Sequence, residues 1–364
     1  MNQNLHPVQR TAYFLLSLVL LIWLLHTAAF IIVPLVWGIF FSFALYPISN
    51  WLEEKRFPRA LAIAISIVLV TIVGAGVIYV LVNQMIYLLK DIPEIGEKLK
   101  EKTSVYLEEL KTITGIALPE DNGSLFFSSW ISEDNLNNTI FNTGRSLTLA
   151  AIIPLYTFLM LYYKDFFISF LYQISTKRNV AILAWVADSG KIIHGYLVGM
   201  VKVTAIVAVL SGLFFYLIGI KYYLLFAIWI AVMNLIPYIG VIISSALVIL
   251  YVFLTTDTFF YPLLTLAVLW GIQAVENNLI TPYVVGSKVK VNVLAVVLAI
   301  LIGGGIWGIS GMILFIPLVG ILKITFDRIP SLKPYGYLLG DTFPVNEKNE
   351  NFIRTIRRKW QAKR

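Results

Sequence analysis

Gln273, Glu276, Asn277 and Asn278 fall within two helical turns of the segment 270–285, WGIQAVENNLITPYVV, which is otherwise largely apolar. Residues three and four apart on a helix are neighbours, so Gln273 stands beside Asn277 with Glu276 adjacent. A charged side chain at the centre of a membrane helix costs about 2.5–3.5 kcal/mol on insertion scales, while each Leu or Val returns only about 0.3–0.6. A carboxyl carried into apolar sequence against that cost points to a substrate or ion site. Glu276 is the group that would bind a proton or cation, with Gln273, Asn277 and Asn278 as neutral ligands or hydrogen-bond partners. The competing reading puts Glu276 at the membrane edge, pairing with Lys288 or Lys290. Pro282 is expected to end this helix and Gly286 to let the backbone turn sharply.

Two other apolar runs carry interruptions. Residues 234–240, NLIPYIG, place Asn234, Pro237 and Gly240 inside the run 222–254, which is too long for one straight membrane helix. The run 291–324 is similarly overlong and holds Gly303, Gly304, Gly305 and Gly308. Breaks of this kind free backbone amides and carbonyls, which belong where protein or a water-filled cavity covers them. Broken segments in two parts of a chain point to a transporter binding site near the bilayer midplane, where helix ends offer partial charges to a polar solute. Against this, Pro237 could be a simple kink, and the glycines could serve close packing, as in Gly304-x-x-x-Gly308 or Gly195-x-x-x-Gly199.

Other chemistries find little support. The chain has no cysteine, which excludes disulfides, thiolate metal sites and cysteine nucleophiles. His6, His26 and His194 have no metal-binding spacing, so neither a metal nor a cofactor is expected. Gly308-Ile309-Ser310-Gly311 has the form found around intramembrane serine nucleophiles, yet no histidine follows residue 194 to accept the proton. With no phosphate-binding loop either, the chain is not expected to be an enzyme. Asp257 and His26 are expected at interfaces.

The elements that must position these residues follow from composition. Of 364 residues, 59% are hydrophobic and 13% charged, and the apolar residues come in long runs. That composition predicts an all-α, polytopic integral membrane protein of about eight transmembrane helices, with broken or re-entrant segments. Residues 1–82 should hold the first three helices. The first apolar run, 13–33, reads as a retained helix rather than a signal peptide, because a second apolar segment follows at once. Residues 83–145 carry ten acidic against six basic groups and should form an external, partly amphipathic helical segment. Loop chemistry marks 118–142. Residues 146–324 form the expected transport core, in which 166–200 suits an interfacial helix and 202–219 a crossing. Residues 325–364 form a basic tail.

The net charge of +8 could suggest nucleic acid, but ten of the 28 Lys and Arg follow Leu322, which fits a cytoplasmic tail near anionic lipid. The partner is therefore membrane lipid. Basic links at 50–59 and 164–200 put both termini in the cytoplasm and the acidic segment outside. Lys288 and Lys290 conflict with that orientation unless one overlong segment is a hairpin that re-enters.

The motif at 234–240, Glu276-Asn277-Asn278 with Pro282 and Val285-Gly286, and the glycine pattern with Pro317 in VLAVVLAILIGGGIWGISGMILFIPLVGIL at 293–322 resemble the autoinducer-2 exporter (AI-2E, or PerM) family of bacterial inner-membrane proteins. The resemblance extends over nearly the whole chain, with its specific part at 234–240 and 276–322. It implies a multi-pass carrier in the inner (cytoplasmic) membrane that exports a small polar solute such as the quorum-sensing signal autoinducer-2. It also implies an alternative activity, sodium or lithium exchange against protons, and a homo-oligomer, a pentamer in the best-described case. A reading from another class is a non-transporting scaffold that recruits partners through 91–114.

Overall fold

The computed structural model describes residues 7–114, 151–174, 179–284 and 291–341. The expectations at Gly286, Lys288, Lys290, the loop 118–142 and the tail beyond 341 lie outside the described residues, as do the side chains of 92–114. Among the described residues the regular elements are helices, with one isolated antiparallel bridge between Val291 and Gly340. In order they are α1 (Pro7–Thr27), α2 (Ala29–Glu54), α3 (Arg59–Thr114), α4 (Ala151–Tyr162), α5 (Lys164–Ile174), α6 (Asn179–Leu217), α7 (Tyr223–Met233), α8 (Ile239–Thr255), α9 (Phe260–Val284), α10 (Val293–Arg328) and α11 (Lys333–Leu339). α2, α6, α9, α10 and the first part of α3, Arg59–Leu88, are each long and apolar enough to cross a bilayer. α4 and α5, bent by 60° at their junction, supply a sixth if taken together. Their outward faces are apolar and exposed, as at Val201, Val209 and Leu213 on α6. The protein is a polytopic all-α membrane protein.

Contacts between α2 and α6 fix the directions of the helices. Phe43 lies against Gly190, and Phe40 packs with Ile193 and Leu314, so α2 and α6 run antiparallel. One end of the bundle therefore gathers Arg59 on Asp165 at 2.6 Å, Lys164 near Glu53, and Arg328 on Asp188 at 2.6 Å. At the opposite end Lys221 and Tyr222, which link α6 to α7, both reach the Asp91 carboxylate of α3 at 2.6 Å. The same end packs Phe226 on Tyr251 with ring centroids 4.6 Å apart, inside the largest apolar cluster, shared by α6, α7, α8 and α9.

That ring contact shows that the run 222–254 doubles back. In a straight helix, at about 1.5 Å per residue, Phe226 and Tyr251 would stand well over 30 Å apart. The reversal spans 234–238: Ile239 N–H bonds to Pro237 O at 2.7 Å around Tyr238, whose φ of +63° and ψ of −59° form the rarer hand of γ-turn. Gly240 then lies on the Met233 carbonyl, where a Cβ would overlap it.

α10 doubles back too. Gly308 leaves helical geometry at φ +60°, ψ −141°. Gly303 and Gly311 meet backbone to backbone, and a Cβ on either would overlap the other's carbonyl. Both ends of α10 come together as well: Asn292 Nδ2 donates to Leu338 O at 2.7 Å just beyond the Arg328 end. Of the expected breaks at Gly303, Gly304, Gly305 and Gly308, the bend falls at Gly308. The three earlier glycines stay helical, and Gly303 and Gly304 make room for Gly311 and Met312. The two hairpins enter from opposite ends of the bundle.

Three further expectations change. Residues 179–200 belong to the same membrane-length helix as 202–217 rather than to a separate interfacial one, because Asp188 is paired by Arg328 and Lys191 near the helix start. That places Lys202 inside a span. α3 runs unbroken through the boundary expected at 82/83. α9 continues past Pro282 to Val284, through a π-helical turn.

Candidate functional site

The turn Glu276–Ile280 of α9 is π-helical. Pro282 has no N–H to return to the preceding turn, and the register relaxes upstream of it, so Thr281 N–H bonds to Glu276 O five residues back. This brings the Thr281 side chain onto the Glu276 carboxylate. Gln273 Nε2 donates to Glu276 Oε2 at 2.6 Å and more weakly to Asn277 Oδ1 at 3.3 Å, and Thr281 Oγ1 donates to Glu276 Oε1. Glu276 is only 6% exposed. Both of its oxygens accept hydrogen bonds, as a buried carboxylate requires.

These residues open on a cavity of about 410 Å³. The first hairpin contributes Asn234, Pro237 and Tyr238 from its tip; α6 contributes Tyr196 and Thr204; the arms of α10 contribute Val296, Ile300 and Ile316. Tyr196 and Thr204 lie roughly 12–24 Å along α6 from Asp188, near the middle of the span. The Tyr196 residue is 6% exposed, and its hydroxyl has no hydrogen-bond partner among the described residues.

The structure brings together Glu276, Gln273, Asn277 and Asn234 of the sequence-derived set, with Pro237 shaping one wall. Asn278 is turned away, its amide donating to Ala274 O at 2.8 Å on the exposed face of α9. Gly240 supports the tip from behind, and Pro282 acts through the π-turn. The glycines of α10 do not line the cavity. The tip of that hairpin is instead held by α1, where Trp307 Nε1 donates to Leu25 O and His26 Nδ1 donates to Ile306 O, each at 3.0 Å. Sequence reading missed Tyr196, Thr204 and Thr281. Of these only Thr281 carried a signal, a hydroxyl directly before Pro282 and five residues after the acid.

Outside the spans, Asp91 is held below the ordinary carboxyl range, first by the hydrogen bond from Lys221 and then by that from Tyr222. The Lys221 ammonium is raised by its bond to Asp91, and the Tyr222 hydroxyl is raised by burial and by donating to the same carboxylate.

Known proteins of similar sequence carry transport names. The chain is 27% identical over 310 residues to "Putative transport protein YrrI" of Bacillus subtilis (strain 168), covering 81% of this chain and 85% of that one. It is 23% identical over 314 residues to "AI-2 transport protein TqsA" of Escherichia coli (strain K12), covering 86% and 90%. The family described as AI-2E family transporter matches residues 13–331. With that match across most of its length, the chain belongs to the AI-2E transporter family.

Proposed function

We propose that this transporter moves a small polar solute outward across the bacterial inner membrane, drawing on a proton or cation gradient, and that the cavity at Glu276 is its solute site. The observation that carries the reading is a buried carboxylate at mid-span, facing a cavity walled by two hairpins that enter from opposite ends. A carrier needs a site reachable in turn from either side, and two such hairpins offer a gate on each. Both termini are cytoplasmic in this reading, supported by Arg59, Lys164, Lys191 and Arg328 gathering at one end. Assembly as a homo-oligomer, a pentamer, follows from the family resemblance.

Autoinducer-2, for which the relative TqsA is named, is the first solute to assay. Protein reconstituted into vesicles with an imposed pH gradient is supplied with labelled autoinducer-2 precursor or with sodium. Solute flux that collapses in Glu276→Gln supports the proposal. Sodium flux against protons without solute flux would establish the antiporter instead, and equal flux in wild type and Glu276→Gln would remove Glu276 from the mechanism. A scaffold predicts no flux of either kind, with function lost on deleting 91–114.

A further inference from the structure

We infer that the solute taken by this cavity is a small organic monocation with an apolar body, bound between Glu276 and Tyr196. The inference rests on the reading of the cavity as the solute site and narrows its chemistry.

The charge is the first argument. Glu276 is buried, and the groups that satisfy it, the Gln273 amide and the Thr281 hydroxyl, are both neutral. Among the described residues, no Lys, Arg or His lines the cavity. Lys202, the nearest cation in sequence on α6, does not line it either. A carboxylate in a low-dielectric site gains most from a positive partner, and the described residues supply none. A solute bearing an ammonium or similar group completes the charge pair, while an anionic solute meets repulsion.

The second argument is the unused hydroxyl. A Tyr O–H buried without a partner is destabilising, so its usual explanation is a ligand or water that completes it. Tyr196 lines the same cavity as Glu276, and its hydroxyl, closed off in this structure, gives a second polar point to a solute whose entry displaces its cover. Tyr196 and Tyr238 both line the cavity, and aromatic rings are the neutral groups that attract a cation.

Size and wall chemistry complete the case. A cavity of about 410 Å³ is far larger than a bare metal ion needs, and among the described residues no group of His, Asp and Glu could hold one. Beside the polar Thr204, Asn234, Gln273 and Asn277, the wall carries a large apolar share through Met200, Val203, Val241, Val296, Ile300 and Ile316. That share accommodates an alkyl body beside the charged group.

The natural absence of cysteine allows a direct test. Thr204→Cys places a single thiol in the cavity wall of the full-length protein, purified in detergent and labelled with a maleimide. n-Hexylammonium, 1-hexanol and hexanoate, three probes of matched length, are compared for protection. Protection by hexylammonium at concentrations at least tenfold below those needed for hexanol is expected, with none by hexanoate. In the same background Glu276→Gln should abolish the preference for the ammonium. Tyr196→Phe should raise the half-protecting concentration by about fivefold, the loss of one neutral hydrogen bond. Should Glu276→Gln fail to fold, the three-probe comparison and Tyr196→Phe still decide. Hexanol or hexanoate protecting as well as hexylammonium overturns the inference, and unchanged protection in Tyr196→Phe overturns the role given to Tyr196. Protection needs no gradient and no flux. Hexylammonium binding without any transport would therefore sink the transport reading alone, and polyol flux without hexylammonium protection would sink this inference alone.

Discussion

Thr281 donates to one oxygen of a carboxylate that is almost wholly buried, and Gln273 donates to the other, so each donor matters more than its net hydrogen-bond energy suggests. Thr281→Val keeps the shape but leaves Glu276 Oε1 unsatisfied, at a cost of about 1–3 kcal/mol. A lower melting temperature in detergent is expected for Thr281→Val and a near-native one for Thr281→Ser; equal values for the two would show that the hydroxyl does not hold the acid. At the far end, Asp91 gives a pH prediction. Its folded value lies below the ordinary 3.8, so its stabilisation is present above that pH and is lost as pH falls through the folded value. Lys221 lies above its ordinary 10.5, so its share is complete below that pH and fades as pH rises through its own folded value. The tie between α3 and the α6–α7 link is therefore tightest between those two limits. Hydrogen exchange at 218–222 should rise in wild type as pH drops below 3.8, after correction for intrinsic exchange. Asp91→Asn should be fast already at neutral pH and show no such rise. The cluster of Gln273, Glu276 and Asn277 was legible in the sequence because polar residues stand out in apolar surroundings. Tyr196 was not, since a tyrosine in an apolar run looks the same whether its hydroxyl faces lipid headgroups or a cavity. Composition groups Asn278 with Asn277, but helical spacing sets Asn277 beside Gln273 and Asn278 beside Ala274, on the outer face.

The two hairpins were half legible. Their apolar runs exceed what one straight helix needs, which forces a bend somewhere, and Pro237 marked the first bend closely. The second was expected among Gly303, Gly304, Gly305 and Gly308 without a choice between them, because every glycine in the run looks like a weak point of a helix. The helix continues through the first three, with neighbours using the space left at Gly303 and Gly304, and only Gly308 takes a backbone conformation that L side chains rarely adopt. This gives a graded prediction within one short stretch. Gly303→Ala and Gly311→Ala each drive a methyl into the opposing backbone, which cannot yield as a side chain would, and overpacking of this kind costs about 1–3 kcal/mol. Gly305 has open space around its Cβ position, so Gly305→Ala should leave stability unchanged or raise it by about 0.5–1 kcal/mol. Thermal unfolding of the three variants in one detergent checks the order. A loss at Gly305 as large as at Gly311 would mean that α10 does not fold back at Gly308.

Helix directions across the whole bundle fix the end at which each described segment around the first hairpin starts. A single crossing by 222–254 would carry the start of α9 to the end where Arg59 and Arg328 lie, and its finish to the other. Because that run turns at 234–238, α9 instead starts at the Asp91 end. Its successor Asn292 is bonded beside Gly340 at the Arg328 end. The described chain after α9 therefore resumes at the end where Arg59, Lys164 and Arg328 gather, the side that the positive-inside rule assigns to the cytoplasm. No run length could have shown this, since a hairpin and a crossing use the same apolar composition; the distinction lies in which helix ends meet. Single cysteines in the naturally cysteine-free chain make the arrangement measurable in intact cells. Asp257→Cys and Thr256→Cys, beyond the second arm of the first hairpin, should react with a membrane-impermeant maleimide added outside. Ser331→Cys and Lys333→Cys, past the end of α10, should react only after the membrane is opened. Labelling of 256 and 333 from the same side would contradict opposed hairpins, and with them the two-sided access on which a mid-span site at Glu276 depends.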